Sequence, residues 1–515
     1  MRLFGRLRRM LTIVTTRGTS ISTMATTIRT IRTTTNKCVL CVAESGMDEV
    51  ITLQGLYQAY TDCRKRKRHT VNAQRYEMQL LDRLYHLLES LHSGVYVPSR
   101  SLCFMVEKPK AREIHAAHFT DRVLHHWLVP RLEALYEPIF IYDVYSNRKG
   151  KGIHQAVKRL QGYMQGVGSQ GYFMQLDIAN FFNTIDRKFL FKLLQQRLAK
   201  AVKKKIKNNE AVVLRDLCHH LLKNNATDNV FYRGSDKQFK KVPAHKRLAN
   251  APNNVGLPIG NLTSQFFANV YMNELDQFIK HQLKCRYYLR YVDDFILLSK
   301  TADELVVWQK QIITFLQSRL HLRLKEESQV KPVAVGADFL GYITKPYYRL
   351  VRRRVVHSFY ERLCYFETLV LKTNKKGQKI LVLHEVVIKK LQATLASYLG
   401  HFKHANAYRL LRALLAQFNW LRYLFIIDTE RIIARWEPKA WQIVGYKSQI
   451  AFFKKHYPYA KLCCQRGTQT DIFLPEPLPK RMSCKIKENV TQLLIREQGY
   501  LKGGLKRRVV TRIYC

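Results

Sequence analysis

Apolar positions along the chain follow two spacings, one typical of helices and one typical of strands. Helical spacing predicts a helix over 73–91 and another in "DRVLHHWLVPRLEALYEPIF". Strand-like runs predict a hairpin in "SLCFMVEKPKAREIHAA", a strand in "GYFMQLDIANFF" and a second hairpin in "LRYVDDFILL". The segment "GLPIGNLTSQFFANVYMNELDQFIKHQL" predicts a turn and then a long amphipathic helix. Strands alternating with helices in this way predict an α+β fold.

The same pattern divides the chain into four segments. Residues 1–46 are rich in Thr and Arg, which is typical of a disordered basic arm, of a transit peptide, or of a start codon placed too early. Residues 47–350 hold the main alternation of strands and helices, and residues 351–435 are mostly helical. Residues 436–515 are mixed, and we expect them to form a small separate module.

Charge changes this picture most. The 515 residues include 87 Lys and Arg against 38 Asp and Glu, a formal net charge of +49. Such self-repulsion does not help folding, so a polyanionic partner is expected, first of all nucleic acid. A membrane surface is the second candidate, but the basic residues are spread along the chain rather than placed beside an apolar helix. No apolar run is long enough to span a bilayer, which predicts a soluble, cytoplasmic protein.

The 11 cysteines do not form a recognisable framework. Cys38 and Cys41 make one C-x-x-C pair, but no second pair follows at zinc-finger spacing, so a zinc site is disfavoured. The remaining cysteines are typical of a reduced cytosolic protein.

Two adjacent acids, Asp293 and Asp294, interrupt the apolar runs of "LRYVDDFILL". A hairpin turn is one explanation, because Asp is common in turns. A metal site is the other, because Asp177 ends the strand-like run "YFMQLD" and neighbouring strands could present all three acids at one edge. Nucleotidyl transfer uses such carboxylates to hold two divalent ions about 3.5–4 Å apart. We expect two Mg²⁺ ions, which prefer oxygen ligands, with Mn²⁺ as a substitute.

A series of motifs resembles the reverse transcriptases of diversity-generating retroelements, within the group II intron-like superfamily. "YVDD" matches the reverse transcriptase catalytic box, and the sharpest match is "GLPIGNLTSQFFANVYMNELD". "EKPKAREI", "DRVLHH", "GKGIHQAV", "DFLGY" and "LASYLGHFKHANAYRLL" are similar to the same group, so the resemblance runs from about Leu53 to about Trp420. It implies a right-hand polymerase with fingers, a palm built on an antiparallel sheet, and a helical thumb at 351–435.

The resemblance also implies roles for individual residues. The implied catalytic acids and metal-contacting residues are Asp177, Ile178, Asp293 and Asp294. The implied contacts with the incoming deoxynucleotide are Lys108, Lys110, Arg112, Phe182, Ile259 and Gly260. Phe182 matches the steric gate against a ribose 2′-hydroxyl, although Phe181 and Phe182 are also typical core residues and one of them is expected to be core. The implied nucleic-acid contacts are Arg148, Lys149, Lys151, Tyr291, Arg352, Arg353 and Arg354.

Two departures from the common reverse transcriptase pattern matter. Ile259 stands where most members have a glutamine, and Gln265 stands where they have a proline. Loss of a hydrogen-bonding amide at 259 is expected to relax base-pair selectivity, and the resemblance implies misincorporation opposite template adenines. A lysine often acts as general acid in the later palm segment, but neither Lys325 nor Lys331 aligns cleanly, so the role is not assigned.

The leading prediction is an RNA-directed DNA polymerase that copies a template RNA into mutated cDNA. The implied partners are template RNA, cDNA, deoxynucleotides and a small basic helical accessory protein; the oligomeric state stays open. Alternatives are a defence-associated or group II intron-like reverse transcriptase, and a non-catalytic RNA-binding protein. A bacterial or phage origin is expected, with organellar targeting by residues 1–46 as a minor alternative.

The tail carries a weaker resemblance. "SQIAFFKKHYPYAKLCCQRG" and "GGLKRRVVTRIYC" are similar to the two ends of the mismatch-recognition domain of the MutS family. The Phe-x-Glu wedge of that domain is missing, so no mismatch-reading role is carried over. A truncated DNA-binding module and a basic structural appendage both remain open for 436–515.

Overall fold

The computed structural model describes most of the chain between residues 47 and 434 and a few short strands beyond it. The described residues are 47–107, 110–203, 206–325, 329–373, 379–381, 384–427, 432–434, 451, 461–466, 469–473, 492–493 and 511–514. The basic arm 1–46 with its C-x-x-C pair, Lys108, and most of the tail module therefore lie outside the described residues. The chain separates into two units, each built from several pieces of sequence.

The first unit consists of three segments, namely the chain up to Ile141, Ala179–Gln277 and Phe315–Arg323. Its helices are α1 (Met47–Val50), α2 (Leu53–Arg64), α3 (Val71–Met78), α4 (Leu80–His92), α5 (Phe119–Tyr136), α7 (Phe181–Thr184), α8 (Arg187–Val202), α9 (Asn208–Lys223), α10 (Asp236–Phe239) and α11 (Leu262–Gln277). Its strands are β1 (Ser101–Val106), β2 (Arg112–Ala116) and β4 (Val230–Arg233). The predicted hairpin is confirmed, because β1 pairs antiparallel with β2; β4 pairs parallel with β1 on its other side.

The helix predicted over 73–91 is two helices, α3 and α4. Gln79 interrupts them with a non-helical backbone, at φ −124° and ψ 39°. The buried face nevertheless continues across the break at four-residue spacing, through Tyr76, Leu80 and Leu84. Apolar periodicity alone therefore could not show the interruption.

The second unit consists of Tyr142–Ile178, Phe278–Thr314 and the chain from Leu324 onwards. Its helices are α6 (Ile153–Val167), α12 (Ala302–Phe315, of which the last residue falls in the first unit), α13 (Arg353–Val370), α14 (Glu385–Phe402), α15 (Tyr408–Ala416) and α16 (Leu421–Leu424). Its strands up to residue 351 are β3 (Tyr172–Asp177), β5 (Tyr287–Tyr291), β6 (Asp294–Ser299), β7 (Val330–Pro332), β8 (Ala337–Phe339), β9 (Tyr342–Thr344) and β10 (Arg349–Val351).

A four-stranded antiparallel sheet lies at the centre of the second unit, in the order β5-β6-β3-β7. Apolar residues of these strands pack with one face of α6 into a buried cluster that includes Leu160, Met164, Phe173, Leu289 and Ile296. A second sheet follows in the order β10-β9-β8. The strands alternate with helices along the chain, so the α+β prediction is confirmed.

The helices after residue 351 share a separate buried cluster. Phe359 and Leu363 of α13 pack with Leu391 and Leu395 of α14 and with Leu411 of α15. Small hairpins accompany these helices, formed by β11 (Leu371–Thr373) with β12 (Lys379–Leu381) and by β13 (Phe425–Ile427) with β14 (Ile432–Ala434).

The described strands of the tail form one sheet in the order β16-β15-β18-β17. Its strands are β15 (Lys461–Arg466), β16 (Gln469–Phe473), β17 (Gln492–Leu493) and β18 (Thr511–Tyr514). Across the described residues of the whole chain, the helices are too short or too polar to cross a membrane.

Candidate active site

The three acids predicted from the sequence belong to neighbouring strands of the central sheet. Asp177 is the last residue of β3 and pairs in register with Asp294, the first residue of β6. Asp294 also pairs with Tyr291 at the end of β5, so Asp293 lies in the tight turn between β5 and β6. Directly opposite residues of an antiparallel pair have Cα atoms only about 4.5–5.5 Å apart. The fold therefore brings the acids to one edge of the sheet.

The turn that carries Asp293 is held in an unusual conformation. Val292 has φ +58°, a left-handed value that is rare for a β-branched residue and costs about 1–3 kcal/mol. Its carbonyl accepts a hydrogen bond from the buried Arg290 guanidinium at 2.8 Å, and its N–H donates to the Ser146 hydroxyl at 2.9 Å. The Asp293 carbonyl accepts the Ile178 N–H at 3.3 Å. These contacts hold the turn against β3.

Burial raises the pKa of Asp294 to about 7. A hydrogen bond from the Gln175 side-chain amide to Asp294 Oδ1, at 3.0 Å, opposes this shift, while the neighbouring charges of Asp177 and Asp293 add to it. Arg352 lowers the pKa by a smaller amount. Like charges opposite each other destabilise a sheet, so this edge favours a cation that neutralises the acids.

A lysine ammonium partly supplies that positive charge. Lys325 Nζ donates to Asp177 Oδ2, and the Lys325 main-chain N–H donates to the Asp177 carbonyl at 2.9 Å. Lys325 was one of two lysines that the sequence left without a role. The other, Lys331, lies on β7 opposite Phe173, four residues before Asp177 on β3.

The donor set fits a divalent cation. Asp177 Oδ1 is buried and has no hydrogen-bond partner, although buried carboxylate oxygens are normally paired. Mg²⁺ prefers carboxylate oxygens of this kind. The Ile178 side chain has no ligand atom, so only its main-chain carbonyl could join the set. No three His, Cys, Asp or Glu side chains among the described residues form a ready-made metal-binding group.

Four of the five described residues expected to contact the nucleotide belong to the β1–β2 hairpin or to the turn before α11, in the first unit. Lys110 and Arg112 are exposed at the β1–β2 hairpin. The Ile259 carbonyl accepts the His115 N–H at 2.8 Å, which attaches the turn to β2. Gly260 has φ +123°, a conformation that side chains disfavour, and an added Cβ would lie 2.8 Å from Ile114 Cγ2.

The pair Phe181 and Phe182 separates as expected, with one ring in the core. Phe181 is 2% exposed, whereas Phe182 is half-buried. The Phe182 carbonyl accepts the Leu257 N–H at 2.7 Å, so its main chain is fixed to the turn that carries Ile259. The partly accessible ring of Phe182 is therefore the available candidate for the gate.

The basic loop expected to contact nucleic acid is folded back on itself in part. Lys151 Nζ donates to the Tyr142 carbonyl at 3.0 Å and lies 3.3 Å from the centroid of the Tyr142 ring. Arg148 donates to the Val144 carbonyl at 3.2 Å. Lys149 is exposed. Of the three, Lys149 therefore presents its charge to solvent most openly.

The other expected nucleic-acid contacts also differ in accessibility. Arg352 forms an ion pair with Asp338 and donates to its carbonyl at 3.0 Å. Arg353 and Arg354 are exposed at the start of α13. Tyr291 is half-buried, and burial raises its pKa.

Sequence reasoning missed four residues that shape the acidic edge. The sequence could have indicated Gln175, because it is two residues before Asp177 and so lies on the same face of β3. Lys325 was considered but could not be placed. Ser146 and Arg290 carried no local signal, since their contacts with Val292 depend on the pairing of segment 143–146 with β5.

Comparisons with known proteins agree with this geometry. Residues 106–344 match the family model described as reverse transcriptase (RNA-dependent DNA polymerase). The group II intron-encoded protein LtrA of Lactococcus lactis subsp. cremoris is 24% identical over 327 residues, covering 51% of this chain and 49% of LtrA. Protein YkfC of Escherichia coli (strain K12) is 22% identical over 321 residues, covering 55% of this chain and 75% of YkfC. The chain thus spans about half the length of LtrA.

Among solved structures, telomerase from Candida albicans with the TWJ fragment of telomeric RNA covers 63% of this chain and 57% of that chain. Its identity is 11% and its TM-score is 0.33. The family match includes both β3 and β6, the strands that carry Asp177 and Asp294. Over residues 106–344 the chain is therefore similar to reverse transcriptases, and over about half of its length it is similar to a group II intron-encoded protein.

Proposed function

We propose that the protein is an RNA-directed DNA polymerase whose chemistry takes place at the edge formed by Asp177, Asp293 and Asp294. The register pair Asp177–Asp294 is the observation that carries this proposal, since it places carboxylates of β3 and β6 side by side. The match of residues 106–344 to the reverse transcriptase family supports RNA as the template and DNA as the product.

In this proposal, Asp177 and Asp293 hold two Mg²⁺ ions, with Asp294 as a supporting acid and Ile178 offering its carbonyl. Bound Mg²⁺ would activate the primer hydroxyl and stabilise charge on the transferred phosphoryl group. Gln175 keeps Asp294 oriented through its hydrogen bond. Lys325 balances the charge of Asp177 and holds a proton on Nζ beside the acids, where a leaving pyrophosphate would need one.

The similarity to reverse transcriptases suggests the remaining roles. Lys110 and Arg112, with Lys108 beside them in sequence, would neutralise the triphosphate of the incoming deoxynucleotide. The Phe182 ring would exclude a ribose 2′-hydroxyl by steric clash. Gly260 would allow the main chain to approach the new base pair closely. Lys149, Arg353 and Arg354 are exposed cations suited to phosphates of the template and product strands.

We further propose that the enzyme belongs to a diversity-generating retroelement and copies its template with errors at adenines. The motif "GLPIGNLTSQFFANVYMNELD" supports this subtype, and so does the aliphatic Ile259 beside Gly260. Template RNA, cDNA and a small basic helical accessory protein are the partners that this subtype implies. The similarity to LtrA favours a second candidate, an accurate reverse transcriptase of the intron or defence kind.

Primer extension on an RNA template with Mg²⁺ tests the polymerase assignment. Asp293→Ala is expected to lower synthesis on the order of a thousandfold, because a metal-held charge is worth several kcal/mol in the transition state. RNA binding should remain, since it depends on basic residues elsewhere. Asp303→Ala, at an exposed acid of α12, is the matched control. Equal loss of binding and synthesis in Asp293→Ala would contradict this division of roles.

Sequencing of the cDNA separates the two candidate subtypes. Errors concentrated at template adenines would support the retroelement enzyme, and accurate cDNA would support the intron or defence relative. Ile259→Gln restores an amide and should lower the error frequency at adenines. An unchanged error spectrum in Ile259→Gln would remove this side chain from the explanation.

A further inference from the structure

The second unit contains a cavity of about 690 Å³ that the proposed polymerase reaction does not use. It lies between α6, the segment around Tyr142 and the start of β5. One lining residue, Tyr287, begins β5, whereas Asp293 follows the end of that strand, so about 14 Å of extended chain separates Tyr287 from Asp293. None of the three acids lines the cavity, so it is a separate candidate site.

A buried carboxylate organises the inner wall of this cavity. Asp143 is 5% exposed and accepts hydrogen bonds from the Tyr163 hydroxyl and from Arg159 Nε, the latter at 2.9 Å. Lys280 Nζ lies 3.9 Å from Asp143 Oδ2 and donates to the Arg286 carbonyl at 2.9 Å. The charge of Asp143 is thus balanced, so it does not repel an anion.

Two further cations besides Arg159 and Lys280 line the cavity. Lys158 is exposed on α6, and the exposed Arg286 has its guanidinium 5.3 Å from the centroid of the Tyr287 ring. In the same wall, the rings of Tyr163 and Tyr287 meet edge to face, with their centroids 5.2 Å apart. Tyr142 lies at the mouth and is 65% exposed.

Helix α6 leaves space for an occupant. Lys158, Gly162 and Gly166 follow one another at four-residue spacing and line the cavity on one face of the helix. Glycine is unfavourable inside a helix, yet a Cβ added at Gly162 would meet no atom within 4 Å. At Gly166 an added Cβ would lie 2.8 Å from the Tyr287 hydroxyl. One glycine therefore keeps the cavity open, and the other lets Tyr287 pack against the helix.

We propose that this cavity binds one unpaired nucleotide of an RNA strand, away from the acids that carry out synthesis. Its phosphate would contact Lys158 and Arg286, and its base would stack on the tyrosines. A phosphate alone would not fill about 690 Å³, whereas ligand sites of roughly 300–1,000 Å³ suit a group the size of a nucleotide. Cations interleaved with aromatic rings are the chemistry by which proteins hold single strands. The RNA source of the nucleotide rests on the proposed function.

Binding and photocrosslinking of the full-length protein test this site. The probe is a fluorescent oligouridylate carrying 4-thiouridine, with uridine monophosphate as a competitor. Gly162→Leu fills the cavity, and Arg286→Ala removes a phosphate contact. Each is expected to lower affinity for the probe about tenfold, the scale of one lost stacking or charge contact, and to remove crosslinks to the peptides that contain Tyr142 and Tyr287.

Matched controls lie elsewhere in the same unit. Gly400→Leu alters a glycine of α14 whose added Cβ also meets no atom within 4 Å, and Lys310→Ala removes an exposed cation of α12. Both should bind the probe as the unchanged protein does. Competition by uridine monophosphate would identify a free nucleotide as the occupant, and competition by the strand alone would identify RNA; either supports nucleotide recognition here.

Unchanged affinity in both cavity variants would overturn the proposal, and so would crosslinks at Tyr142 and Tyr287 that persist in Gly162→Leu. Primer extension by the unchanged protein is measured in parallel. Cavity crosslinks without any extension would overturn the proposed function and leave nucleotide binding in place. Extension without cavity-dependent binding would overturn only the cavity.

Discussion

At the scale of single residues, the acidic edge is a set of like charges that only a cation makes stable. Asp294 lies opposite Asp177 and next to Asp293, and its raised pKa reports the mutual repulsion as well as burial. Lys325 is bound to Asp177 on this edge. Competition between the Lys325 ammonium and a bound Mg²⁺ ion for Asp177 should therefore be measurable.

Lys325→Gln should make the fold more dependent on Mg²⁺. Without the ammonium, Asp177 loses an ion pair that is partly exposed, so the melting temperature without metal should fall by a few degrees at most. Added Mg²⁺ should then raise the melting temperature more in the variant than in the unchanged protein, because the ion binds a site free of competing charge. Thermal unfolding with and without Mg²⁺ measures this.

Lys331→Gln is the control for that experiment, since Lys331 is an exposed lysine of the neighbouring strand β7. The same Mg²⁺ response in both lysine variants would show that Lys325 does not compete for the metal site.

At the scale of elements, the turn before α11 depends on a main-chain conformation that glycine provides. Gly260→Ala should lower the free energy of unfolding by about 1–3 kcal/mol, because φ is +123° there. Gly162→Ala, inside α6 and without close neighbours, should instead raise it by about 0.5–1 kcal/mol. Denaturant unfolding of the two variants provides the comparison. If both substitutions changed the free energy of unfolding in the same direction and by a similar amount, the conformational argument would be refuted.

A buried histidine makes α5 sensitive to acid. His125 is 4% exposed, and burial lowers its pKa to about 3, with smaller contributions from His126 and Arg122. The folded state holds the neutral ring, so this contribution to stability is complete above the unfolded pKa of 6.5 and is lost as the pH falls below it. The loss approaches about 1.4 kcal/mol per pH unit.

His125→Gln should therefore lose less stability between pH 7 and pH 5 than the unchanged protein, as measured by denaturant unfolding at each pH, because glutamine does not titrate. His86→Gln, at a side chain that is 78% exposed, is the control and should behave as the unchanged protein. Equal acid sensitivity in His125→Gln would assign the effect to other groups.

At the scale of the whole molecule, the net charge of +49 predicts RNA affinity that depends strongly on salt. The logarithm of the affinity should fall linearly with the logarithm of salt, by about 0.7 for each phosphate neutralised on a single strand. Replacement of Arg353 and Arg354 by alanine should reduce that slope by about 0.7 for each lost phosphate contact. Binding titrations across salt concentrations test this. An unchanged slope would remove these arginines from the RNA-binding surface.

The sequence predicted much of the site because its signals are local. Asp177, Asp293 and Asp294 stand at the ends of apolar runs, and alternation within those runs places their strands in one sheet. The α+β class followed from the same alternation. The break at Gln79 was missed because the buried face continues through it.

The tertiary structure alone decided what surrounds the acids. Lys325 contacts Asp177 across 148 positions of sequence, and Ser146 supports Val292 across 146. The cavity beside α6 likewise depends on Gly162 facing side chains from β5. Side-chain spacing along a chain encodes which face an element buries, so the sequence determined the elements and their acidic ends. Contacts between distant segments depend on how those elements pair and pack, and the local spacing of residues does not encode that pairing and packing.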